Sequence, residues 1–136
     1  MLNLRIRNLS SLTMLVFGVL ALALGILGII QPEATLTLLN FEVLERTQRV
    51  TGDYSLVFLV ASSMASVNMG IYYILASLND MKAFYRWTVP FRIVTFVVFT
   101  WAVVSGIAPQ GFIGVGIWEL TGAIATGAAL LYERKS

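Results

Sequence analysis

The sequence predicts an all-α fold, a four-helix transmembrane bundle with a short interfacial helix between the first and second spans. Three observations carry that expectation. The chain of 136 residues is 58% apolar and only 12% charged, where a soluble domain carries about 25% charged residues. Four apolar runs long enough to cross a bilayer follow one another, at about residues 12–31, 54–78, 82–106 and 110–132. The connections between them are polar, and only the one at 32–53 is long. The whole chain, 1–136, reads as a single integral-membrane domain.

The same composition narrows the chemistry. There is no histidine and no cysteine, so zinc, haem and iron–sulfur ligation by the usual protein groups is not expected. Cysteine nucleophiles, histidine bases and disulfides go with them. The nine basic residues are scattered along the chain and form no basic face, which argues against nucleic acid as a partner.

In the first element, Arg5 and Arg7 precede the apolar run Leu12 to Ile30. The run is longer than the apolar region of a usual signal peptide, and no small-x-small cleavage site follows it. It reads as an uncleaved first span. Gly18, Ala21, Gly25 and Gly28 fall on one face at helical spacing, which permits close helix packing in lipid. A packing face is the plain reading and a substrate groove the alternative.

Pro32 ends that span. Within 32–53, Leu36, Leu39, Val43 and Leu44 recur at helix-like spacing, with Glu42, Glu45, Arg46 and Arg49 between them. That pattern predicts a short amphipathic helix at the membrane surface, with a re-entrant lid as the alternative. The second span carries Ser62, Ser63, Ser66 and Asn68, side chains that hydrogen-bond across helices in bilayers. Tyr72 and Tyr73, near its far end, suit an interfacial aromatic belt.

Asn79-Asp80-Met81-Lys82 is a tight turn in which Asn79 or Asp80 would cap the third helix. Pro90 lacks an amide hydrogen and should kink that helix beside Arg92. Ile107-Ala108-Pro109 makes a short second hairpin. The fourth span holds Gly111, Gly114, Gly116, Gly122 and Gly127, and one acid, Glu119.

Charges outside the spans set the expected orientation. Arg5, Arg7, Lys82, Arg86, Arg134 and Lys135 share one side with Asp80 and Glu133, while Arg46 and Arg49 lie on the other with four acids. That bias puts both termini on the cytoplasmic, or equivalent negative, side.

The polar centre is the feature the rest must accommodate. A guanidinium inside an apolar span costs several kcal/mol unless it is paired or faces a water-filled cavity. With a rise of ~1.5 Å per residue, Ser62 and Glu119 lie roughly 12–13 Å deep, and Asn68 and Arg92 near ~21 Å. The long Arg92 side chain can bridge those layers. Gly116, Ala123 and Thr126 on the face of Glu119 leave room for an incoming side chain. One reading is an internal Arg92–Glu119 ion pair whose hydrogen bonds are completed by Ser62, Ser66 and Asn68. The others are a proton, ion or ligand site, or a pair of charges that each reach a partner subunit.

No catalytic motif is evident. Ser62-Ser63 has no base beside it, and the glycines of the fourth span follow no strand, which argues against a dinucleotide site. Asn79-Asp80 before an aromatic and basic helix start, Arg92 in the third span, and Trp118-Glu119-Leu120-Thr121-Gly122-Ala123 in the fourth resemble the BphX-like and related small four-helix membrane proteins. The resemblance covers mainly the second half of the chain, and it implies a fold and no established activity.

The functional expectation is a non-catalytic accessory or scaffold subunit of a larger membrane complex. It would have no cofactor, with the bilayer and either other membrane subunits or a second copy as partners. A small transporter or channel with an intramembrane Arg/Glu site is the alternative. An integral-membrane enzyme or lipid-ligand binder, with a pocket opened at Pro90, is the third.

Overall fold

The computed structural model describes residue 6 and residues 8–135. Arg5 and Arg7, used above for orientation, lie outside the described residues. Among the described residues five α-helices form, α1 at Leu9–Ile30, α2 at Pro32–Leu38, α3 at Ser55–Leu78, α4 at Lys82–Val104 and α5 at Ile113–Glu133. The segments Leu9–Ile30, Ser55–Leu78, Lys82–Val104 and Gln110–Glu133 are long and apolar enough to cross a membrane. The chain is a small integral membrane protein of the expected architecture.

Helix α1 starts three residues earlier than the apolar run suggests, because Asn8 caps it. The Asn8 side-chain oxygen accepts from the Ser11 amide at 2.9 Å, satisfying one of the free amides of the first turn. Pro32 occupies the first turn of α2, where its missing amide hydrogen leaves no intrahelical bond unmade. The surface helix is shorter than the spacing from Leu36 to Leu44 suggests. It ends at Leu38, since Asn40 takes a left-handed conformation at φ 56°, which asparagine tolerates better than most residues. Val43 and Leu44 therefore lie outside helix. A 3-10 turn at Arg46–Gln48 follows, and the loop is tied by Arg46 Nε to Glu33 at 2.7 Å and Arg49 Nη1 to Asp53 at 2.8 Å. The bonded Arg46 guanidinium holds the Glu33 carboxyl down at about 2.

Neither Asn79 nor Asp80 caps α4, whose cap position is Met81. Asn79 donates back to the Leu75 carbonyl at 2.7 Å. Asp80 turns the corner at φ 50° and receives Asn8 Nδ2 at 2.8 Å and Ser11 Oγ at 3.1 Å. Helix α4 runs unbroken through Pro90 from Lys82 to Val104. Thr88, above the proline, donates to the Tyr85 carbonyl at 2.8 Å.

The four long helices form an incomplete ring. Helix α1 packs on α3 and on α5, and α5 packs on α4, while α3 and α4 do not pack on one another along their length. The α1–α3 seam is the tightest. A Cβ on Gly25 would stand 2.8 Å from the Ser63 carbonyl oxygen, and one on Gly70 2.7 Å from the Gly18 carbonyl oxygen. The glycine face of α1 is thus a packing face, as its spacing suggests, and it lets two backbones approach as small-residue faces do in lipid. Ser66 fastens the same seam by donating to the Ala21 carbonyl at 2.8 Å.

At the end of the bundle holding the α3–α4 turn, a polar cluster joins four helices. Glu133 accepts from the Ser10 amide at 2.6 Å, from Ser10 Oγ at 2.9 Å and from Lys82 Nζ. Tyr85, fully buried, bonds Ser11 Oγ at 3.0 Å and the Ala76 carbonyl at 2.9 Å. Ser77 donates to the Ser11 carbonyl at 2.6 Å. These hydroxyls convert what would be unpaired buried groups into cross-links between segments distant in sequence.

Candidate functional site

Beyond their contacts near the turn, α3 and α4 part and leave a cavity of about 610 Å³ between them, floored by α1 and α5. Its walls are mostly apolar and aromatic. Met69 of α3 and Trp87 and Phe91 of α4 stand at its mouth, the last two 65% and 71% exposed, so the cavity opens sideways. Toward the α3–α4 turn it is closed by Tyr73 and Phe84, whose rings meet edge to face at 5.8 Å.

Arg92 and Glu119 lie on the floor of this cavity. Arg92 Nε donates to Glu119 Oε2 at 3.0 Å, and the two side chains retain 4% and 23% of their exposure. The guanidinium carbon sits 4.4 Å from the centre of the Phe17 ring and 5.5 Å from that of Tyr73. Aromatic faces carry negative charge density, so a desolvated cation is stabilised there by about 2 kcal/mol. Phe17 is itself held by Trp118, with ring centres 4.6 Å apart. Gly122 makes the room on α5, for any Cβ there would fall on the guanidinium atoms.

The pairing is incomplete. Arg92 Nη1 is buried with no hydrogen-bond partner among the described residues. Such a donor costs about 1–3 kcal/mol unless something outside the chain satisfies it.

The three polar residues expected to complete the pair do not reach it. Ser62 is exposed at the cavity wall and donates to the Leu59 carbonyl of its own helix at 2.9 Å. Ser66 lines the same wall, but its hydroxyl is committed to Ala21. Asn68 is exposed on α3 and is not among the residues that line the cavity. The reason is helical phase. The contact with α1 turns Ser63 and Gly70 inward, and Ser62, about 100° away, is carried to the rim.

Tyr73 and Gly122 belong to the site although neither was expected there. Tyr73 is 7% exposed beneath Arg92 rather than in an interfacial belt, whereas its neighbour Tyr72 is 55% exposed. The available signal for Gly122 was its position three residues after Glu119, on one face of the same helix. Thr126, placed beside Glu119 by spacing, instead bonds Thr13 Oγ1 at 3.1 Å. No group of three or more acidic side chains suited to holding a metal ion occurs among the described residues.

Comparison with protein-family models, with curated proteins and with solved structures returns no match. The functional reading therefore rests on the site itself.

Proposed function

We propose that this chain is a non-catalytic accessory or scaffold subunit of a membrane assembly, and that the α3–α4 seam is the place where it takes up an apolar group from the bilayer. One observation supports this most, a ring of helices packed along three seams and open along the fourth. Water finds few polar partners in an aromatic-lined opening at that depth, whereas a lipophilic group from the bilayer fills it by van der Waals packing, which drives apolar association in lipid.

The transporter or channel reading is favoured by the intramembrane ionisable pair alone. Against it stand the mostly apolar walls of the cavity and the mutual neutralisation of Arg92 and Glu119. Kinship with the BphX-like proteins, and an orientation with both termini on the cytoplasmic side, belong to the same proposal. The described part of the charge bias is Lys82, Arg86, Arg134 and Lys135 at the end carrying the polar cluster.

Native mass measurement on protein extracted from its own membrane tests the subunit reading. A complex heavier than one chain, with other subunits or further copies, is expected. A bare monomer under conditions that preserve other assemblies of the same membrane would overturn it.

A further inference from the structure

The polar groups of the seam define what kind of molecule can occupy it. Resting on the reading that the seam is the working site, we infer that it binds an uncharged lipophile carrying a hydroxyl group, with that hydroxyl donating to Glu119.

The serine and threonine hydroxyls around the cavity have already used their protons. Thr88 donates to the Tyr85 carbonyl, Thr95 to that of Phe91 at 3.0 Å, Ser62 to that of Leu59 and Ser66 to that of Ala21. Each bond is to backbone, so none of these side chains offers a proton to an occupant.

Of the ion pair, Glu119 is the reachable member, with 23% of its side chain exposed against 4% for Arg92. Arg92 takes Oε2, and Oε1 accepts no hydrogen bond from any described residue. The cavity thus presents a carboxylate oxygen at its floor while the unpaired Arg92 Nη1 is buried, so an occupant gains most by bringing a donor to the oxygen it can reach. Hydrogen bonds to an ionised acceptor are roughly twice as strong as those between neutral groups.

Charge decides the rest. Arg92 and Glu119 together are neutral, so an anion would meet the Glu119 carboxylate and a cation would leave the site with net positive charge. Either is costly in the bilayer interior. A hydroxyl adds no charge. Its oxygen can also accept, and Tyr73, whose ring borders the cavity, carries a phenol able to donate. The remaining walls are aromatic or aliphatic, and about 610 Å³ lies within the ~300–1,000 Å³ usual for a site that encloses one small ligand.

The test uses the full chain in lipid nanodiscs, with Trp101→Phe so that emission comes from Trp87 and Trp118, both at the cavity. Four probes with one common brominated tail are titrated: dibromostearyl alcohol, its methyl ether, dibromostearic acid and the dibromostearyl amine. Bromine quenches tryptophan at short range. Saturable quenching by the alcohol is expected, about tenfold tighter than by the ether, which lacks the donor. Glu119→Gln should reduce that preference to about threefold or less, because a neutral amide is the weaker acceptor. Ala65→Phe, which puts a ring into the cavity from the exposed α3 wall, should abolish saturable quenching by every probe.

If ether and alcohol bind equally, the hydroxyl inference fails while the seam stands as a lipophile site. Tighter binding of the acid or the amine overturns the uncharged class in the same way. If no probe saturates, the seam reading fails as well. The alcohol-to-ether comparison is made on a chain with the ion pair intact, so it remains decisive even if Glu119→Gln does not fold.

Discussion

The polar cluster at the α3–α4 turn and the ion pair on the cavity floor are built from similar groups and are finished differently. At the turn, Glu133 is surrounded by Ser10 and Lys82, and Tyr85 is bonded on two sides. On the cavity floor, among the described residues, Glu119 has Arg92 alone, and Arg92 keeps a buried Nη1 without a partner. A saturated cluster fixes the positions of segments far apart in sequence. An unsaturated one, beside an opening, retains capacity for something that arrives. The difference separates the part that holds this bundle together from the part that receives.

The cavity floor is most sensitive at Gly122, whose missing Cβ makes room for the Arg92 guanidinium. A valine there would displace the Arg92 guanidinium and leave two buried charges apart. Gly122→Val should lower stability by about 3–5 kcal/mol, the range for breaking a buried pair, read by thermal unfolding in detergent. Retention of wild-type stability would show that the guanidinium has another place to go.

Next in size is the closed end. Glu133→Gln replaces a charged acceptor by a neutral one, and Glu133→Ala removes it altogether. The alanine variant should cost about 1.5–3 kcal/mol, as loss of hydrogen bonds to a charged group does, without altering any binding at the seam. A change in lipophile binding in that variant would contradict the separation of the two regions.

Ser66→Ala removes a single intramembrane hydrogen bond to Ala21 and should cost about 0.6 kcal/mol. Its larger use is as a control, since Ser66 lines the cavity while its proton points away from it.

The smallest effect belongs to the surface loop. Glu33 is held at about 2 by its bond from Arg46, below its ordinary 4.5. A carboxyl with a depressed native value contributes stability above its unfolded value and loses it as pH falls toward the native one. The tie between α2 and the 46–48 turn should therefore weaken between about pH 4.5 and 2. In Glu33→Gln, amide exchange at α2 and the 46–48 turn should be independent of pH in that window once corrected for intrinsic rates, while the part of the loop next to Asp53, whose carboxyl Ser55 and Arg49 also hold below its ordinary value, keeps its own pH dependence. Persistence of a pH step at α2 and the 46–48 turn in the variant would assign the titration elsewhere.

How much of this was legible beforehand follows from which signals survive without knowing helix rotation. Arg92 and Glu119 stand out because ionisable residues inside apolar spans are rare, and desolvation leaves them few options besides each other. The glycine face of α1 was readable because small residues at helical spacing state which side packs closely. Ser62 and Asn68 were misplaced because polarity alone does not tell a helix which way to turn. The approach of Gly18 and Gly25 to Ser63 and Gly70 sets that rotation, and it carries Ser62 to the rim and leaves Asn68 exposed. The clamp at Ser10, Ser77 and Tyr85 was invisible, since its members come from helix ends that meet only once the ring is assembled. Asp80 was read as a cap, when its left-handed backbone turns its carboxylate toward α1.

A neutral cavity floor requires Arg92 and Glu119 to be energetically coupled, and a double-mutant cycle measures that directly. Arg92→Met, Glu119→Gln and the combined variant are compared with the parent by thermal stability in detergent. Each single change should cost about 3 kcal/mol, toward the low end for a buried pair, because Glu119 keeps 23% of its side chain exposed. The double variant should recover much of that loss, since neither charge is then left alone. Strictly additive losses, with no coupling between the two positions, would contradict the internal pair and with it the reading of the seam as a site with a neutral floor.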